Sequence, residues 1–110
     1  GFFPQSELKD FGKFSSLLGG HPDRNKCPGV FASTGSLGHG LPIAVGHCIA
    51  NSILGKSNRI FVLVGDGELN EGTNWESLMI AHHFKVSCFF SAKPRINCNI
   101  HYSLCILKFH

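Results

Sequence analysis

The stretch that most constrains this chain is residues 59–76, RIFVLVGDGELNEGTNWE. Residues 60–64 are an unbroken apolar run, rich in β-branched side chains. Such a run predicts a strand buried on both faces, as in parallel sheets. It stops at Gly65-Asp66-Gly67. Two glycines permit a tight turn and let a ligand approach backbone amides. Asp66 is thereby left at the carboxyl end of the strand, where ligands bind in open α/β sheets. Alone, the Gly-Asp-Gly triplet fits equally well a plain strand-to-helix turn in which Asp66 is only a cap. Helix-period residues follow from about Thr73. Trp75, Leu78, Met79 and His82 mark one face of that helix, with Trp75 and Met79 expected in the core.

The length of 110 residues allows one domain with a modest core. A first residue other than Met is expected of a fragment or a processed product. The net charge is +3 and the basic residues are scattered, with no run of five. That pattern argues against nucleic acid or a membrane surface as partner. No apolar stretch reaches the ~18 residues of a spanning helix. Five cysteines, an odd count without a CxxC pair, argue against a disulfide framework or zinc site. Reduced thiols and a cytoplasmic location are the expectation. His82 and His83 are adjacent and point apart on a helix, so they are not a ligand pair.

The N-terminal residues predict a short helix capped by Ser6, with Leu8, Phe11, Phe14 and Leu17 or Leu18 at helical spacing and its aromatics packed. Residues 19–29, GGHPDRNKCPG, are loop. His21 in that loop reads on local chemistry as a solvated surface residue. A Gly-rich turn, TGSLGHG, then opens a helix on which Leu41, Ala44, Val45, Cys48 and Ile49 share a face. Ser36 is the expected cap, Pro42 is tolerated in the first turn, and Gly55 is the expected stop. Such a turn presents unpaired N–H groups, an anion site or simply a close helix–sheet contact.

Taken together, GFFPQSELKDF, GHPDRNKCPGV, TGSLGHG and GDGELNEGTNWESLMIAHH closely resemble the thiamine diphosphate-binding section of transketolases. The resemblance implies an α/β fragment of a thiamine diphosphate-binding fold, a parallel sheet flanked by helices. It implies that Asp66 holds Mg²⁺ or Ca²⁺ bridging the diphosphate, that Gly35, Leu37 and Gly67 contact the cofactor, and that Glu71 lies near it. His21 would line the substrate channel and serve in catalysis. The substrates would be sugar phosphates exchanging a two-carbon ketol unit. A C-terminal section or subunit would hold the other half of the cofactor, across a dimer contact. A related thiamine enzyme such as deoxyxylulose-5-phosphate synthase is the alternative within the class, and a catalytically silent fragment or subunit the alternative outside it. Phe31, His39 and His47 depart from the family's usual residues without touching the Asp66 site.

The resemblance covers residues 1–86, and residues 87–110 form a tail of different composition. The family completes its metal site with an Asn about thirty residues after the glycine turn. Asn97 lies thirty residues past Gly67 (97 − 67), one residue off the ungapped position, and is the candidate second ligand. Strands are expected within residues 86–91 and 100–107. The abrupt change of composition suggests a frameshift, a read-through or an unspliced segment, or else a divergent terminus.

Overall fold

The computed structural model describes residues 1–86, 88–93 and 104–107. They divide into two compact units, Gly1–Ser36 and Leu37–His110.

In the first unit a short 3-10 helix, Gln5–Asp10, starts after Pro4. Pro4 rather than Ser6 takes the cap position, and no side chain caps the end. The expected short helix thus forms, but it ends at Asp10, before the spaced apolar residues Phe11, Phe14, Leu17 and Leu18. Gly12 adopts φ +74° and Ser15 φ +62°, both left-handed. The Gly12 N–H donates to the Leu18 carbonyl at 2.8 Å and turns the chain back on itself. Phe11 and Phe14 are exposed, against their expected packing. Beyond them Asp23 organises the loop. Its Oδ1 accepts the Asn25 N–H at 2.9 Å, and its carbonyl accepts the Cys27 N–H at 2.8 Å. Cys27 is buried beneath.

The second unit begins with helix α1, Gly40–Ile53. Leu41, Ala44, Val45 and Cys48 are its buried residues, the stripe expected from spacing. His39, not Ser36, stands at its cap, again without a side-chain bond. Gly55, at φ +63°, ends it. The Lys56 N–H donates to Asn51 O at 2.8 Å and the Gly55 N–H to Ser52 O at 3.3 Å, satisfying the last carbonyls.

Strand β1, Phe61–Gly65, follows. Val64 is fully buried and Val62 half-buried, while Phe61 and Leu63 are about two-thirds exposed, at 67% and 70%. The strand is thus one-faced rather than buried on both sides. The reason is the period of two: alternate side chains face opposite ways. Among the described residues, only the Val64 face is covered.

Helix α2, Gly72–His83, packs on α1 through small residues. Asn74, Ser77 and Ala81 are buried; Trp75 and Met79 are exposed, which reverses their expected placement. Ala81 joins Leu41, Val45 and Cys48 of α1 in the core, while Asn74 Nδ2 and Ser77 Oγ donate to the Glu68 and Thr73 carbonyls.

Strands β2, Cys88–Lys93, and β3, Leu104–Leu107, complete a sheet in the order β1-β2-β3. β1 and β2 run parallel with Phe61 opposite Phe89; β2 and β3 run antiparallel with Cys88 opposite Leu107. The pairing is mixed, not the parallel sheet expected. Leu41, Val45, Cys48, Val64, Ala81, Val86 and Cys88 form the core.

Candidate functional site

In Leu37–His110 the site grows from the end of β1. Val64 anchors the strand in the core, and the chain emerges at Gly65. Asp66 follows, half-buried, at φ −60° and ψ −44°, opening a 3-10 turn, Gly67–Asn70. Among the described residues, apart from the chain neighbours, no atom lies within 4 Å of where a Cβ would stand on Gly65 or Gly67. The space at the Cβ positions of the two glycines flanking Asp66 is therefore unfilled. Asn70 Nδ2 donates to the Gly67 carbonyl at 3.2 Å and holds the turn.

Glu68 carries no motif that marks it in the sequence as a candidate. Its Oε1 accepts the Gly38 N–H at 2.9 Å and its Oε2 accepts the Gly65 N–H at 3.1 Å. The local half of this has a sequence signal, a carboxylate three residues after a strand-ending glycine. The half that reaches Gly38 has none. Thr73 Oγ1 donates to the Gly38 carbonyl at 2.9 Å. Gly38 takes φ +80°, and a Cβ there would stand 2.5 Å from Thr73 Oγ1 and 2.6 Å from Glu71 Cβ.

Glu71 is half-buried at the start of α2, with its Cβ and Cγ against Gly38. Its carbonyl accepts the Asn74 N–H at 3.2 Å, while its carboxylate makes no cap bond. Asn74, 1% exposed, donates from Nδ2 to the Glu68 carbonyl at 2.5 Å. Its Oδ1 has no hydrogen-bond partner among the described residues. Trp75 Nε1 donates to the Leu69 carbonyl at 2.8 Å, so the exposed indole braces the turn. Leu37 is more than half exposed, and its carbonyl lies 3.1 Å from His39 Nδ1.

Gly1–Ser36 holds the other candidates. His21 is exposed and lines a cavity of about 410 Å³ with Phe3, Phe11, Leu18 and Cys27. A Cβ on Gly35 would stand 3.6 Å from the His21 ring, so these two residues are brought together. Leu37 and Glu71 are brought together through Gly38, and Asp66 and Gly67 lie beside Glu68. Asn97 lies outside the described residues.

Among the described residues no three His, Cys, Asp or Glu side chains converge to hold a metal. A hard cation at Asp66 therefore needs oxygens from elsewhere, and phosphate oxygens suit it. The single Asp66 carboxylate between two glycines fits that donor set. No helix among the described residues is long and apolar enough to cross a membrane.

The sequence is similar to several transketolases. It is 48% identical over 86 residues to an apulose-4-phosphate transketolase subunit from Actinobacillus succinogenes, covering 78% of this chain and 31% of that one. It is 40% identical over 87 residues to the transketolase of Pongo abelii, covering 78% of this chain and 14% of the relative. It is 37% identical over 81 residues to a 6-deoxy-6-sulfo-D-fructose transketolase subunit from a Clostridium species, covering 74% and 30%. The chain thus spans less than a third of the length of these relatives. The sequence model of one family, described as transketolase, thiamine diphosphate binding domain, matches residues 3–99. That match takes in every candidate site residue from His21 to Asn97, and the chain belongs to the transketolase family through this domain.

Proposed function

We propose that this chain supplies the diphosphate-binding half of a transketolase site and works with a C-terminal section or subunit that holds the rest of the cofactor. The observation that carries the reading is Asp66, a half-buried carboxylate at the end of β1 between two glycines whose Cβ positions are unfilled among the described residues. Asp66 would hold Mg²⁺ or Ca²⁺, with Asn97 as the second protein ligand. Gly35, Leu37 and Gly67 would contact the cofactor, and Glu71 would be near it. His21 would hydrogen-bond sugar hydroxyls and serve in proton transfer to and from them. The bound thiamine ring supplies the carbanion chemistry for moving a two-carbon ketol unit between sugar phosphates. The chain's own part is to bind, orient and neutralise.

Relatives named as transketolase subunits support a two-chain arrangement, and on this reading a dimer is the working form. Buried free thiols at Cys27, Cys48 and Cys88 suit a reducing compartment such as the cytoplasm.

The test is the thermal midpoint with Mg²⁺ and thiamine diphosphate. Ligand at a hundred times its dissociation constant adds about 2.7 kcal/mol to the native state. The midpoint should rise for the chain, and Asp66→Asn should remove most of the rise. No rise, with or without a partner subunit, contradicts the reading. A second reading, a catalytically silent subunit, is favoured by the sequence position of Asn97, one residue off the place where the family completes its metal site. It predicts the same midpoint shift but no ketol transfer in any reconstituted complex.

A further inference from the structure

The Glu68 carboxylate joins two segments that are far apart in sequence. One oxygen takes the N–H of Gly38, thirty residues earlier, at 2.9 Å, and the other takes the N–H of Gly65 at 3.1 Å. Hydrogen bonds to a carboxylate are stronger and more directional than neutral ones. Gly38 is held from the other side by Thr73 Oγ1 on its carbonyl. Both backbone polar groups of Gly38 are therefore taken by side chains that follow Asp66, and Thr73 and Glu71 pack closely against its left-handed backbone. Leu37 is the residue before Gly38, and Asp66 the residue after Gly65.

We propose that Glu68 is a positioning residue. By holding Gly38 and Gly65 with one carboxylate, it fixes Leu37 relative to Asp66. These are the two parts of Leu37–His110 that contact the cofactor on the reading above, on which this inference rests. Glu68 itself touches neither cofactor nor substrate. It acts through the backbone it holds.

The experiment uses the full 110-residue chain. Amide hydrogen exchange is followed at Gly38 and Gly65 without ligand, and thiamine diphosphate affinity is measured by calorimetry with Mg²⁺. Glu68→Gln keeps the size but places an NH₂ group against one of the N–H donors. Exchange at Gly38 or Gly65 should quicken by about tenfold or more, the scale of a lost charge-assisted bond. Exchange at Val45, Cys48 and Ala81 should stay unchanged, and cofactor affinity should fall by about tenfold or more. Glu68→Asp keeps the charge on a shorter arm, and should restore protection at one amide only, with intermediate affinity. If Glu68→Gln does not fold, Thr73→Val releases the same loop from the carbonyl side and should also weaken the cofactor. Unchanged exchange at both amides overturns the inference. So does faster exchange with unchanged affinity, and in that case the functional reading stands. A wild-type chain that binds no cofactor overturns the functional reading and the positioning role with it, whatever the exchange shows.

Discussion

Gly38 adopts φ +80° with Thr73 and Glu71 packed where a Cβ would lie. Gly38→Ala is therefore expected to cost about 1–3 kcal/mol in unfolding free energy, the range for strained backbone. Chemical denaturation would measure it, and a cost near zero would mean the loop relaxes freely. Cys88 is informative in another way. Burial, then the hydrogen bond and charge of the neighbouring Cys48 thiol, push its pKa from 9.0 up to about 12. The unfolded chain loses this proton first as pH rises. Stability from the neutral thiol is thus complete below about pH 9 and is lost through about pH 12. Cys88→Ala should make the unfolding midpoint fall less steeply over that window; an identical slope would contradict the assignment. At single positions the sequence was legible where a residue type is tied to a local pattern. The place of Asp66 at the end of a strand was readable because a glycine-flanked carboxylate followed an apolar run. Glu68 was missed because half of its role is a bond to backbone thirty residues away, which leaves no period to detect.

The helices and strands repeat the lesson with a different physical cause. The α1 stripe of Leu41, Ala44, Val45 and Cys48 was readable because apolar residues at helical spacing had one face to occupy. The α2 pattern misled because hydrophobicity favoured Trp75 and Met79, whereas the close contact with α1 favours small side chains. The inward face is Asn74, Ser77 and Ala81. Ala81→Leu is expected to destabilise by about 1–3 kcal/mol through overpacking, and Met79→Ala by under about 0.5 kcal/mol, as for exposed sites. Urea titrations of the two variants would check the order, and the reverse order would contradict this packing. The β1 run was a correct strand with a wrong environment. An unbroken apolar sequence cannot say which face is covered, and Phe61 and Leu63 stand exposed. The helix expected near the N-terminus ended early because Gly12 and Ser15 turn left-handed, which spacing of apolar residues does not encode.

For the molecule as a whole, the order of elements and the family were legible because four separate motifs fall in one order along the chain. The sheet's mixed pairing was not, because strand direction depends on contacts beyond any one segment. The chain spans less than a third of the length of its relatives. On the proposed reading it carries one half of the site, the remaining contacts belong to another section or subunit, and diphosphate binding is the property this chain should keep. The most direct measurement is a calorimetric titration of thiamine diphosphate into the full chain, with Mg²⁺ and then with a chelator, repeated for Asp66→Asn. The account predicts one binding event that needs the metal and is lost in the variant. Binding that is indifferent to both metal and Asp66 would contradict it.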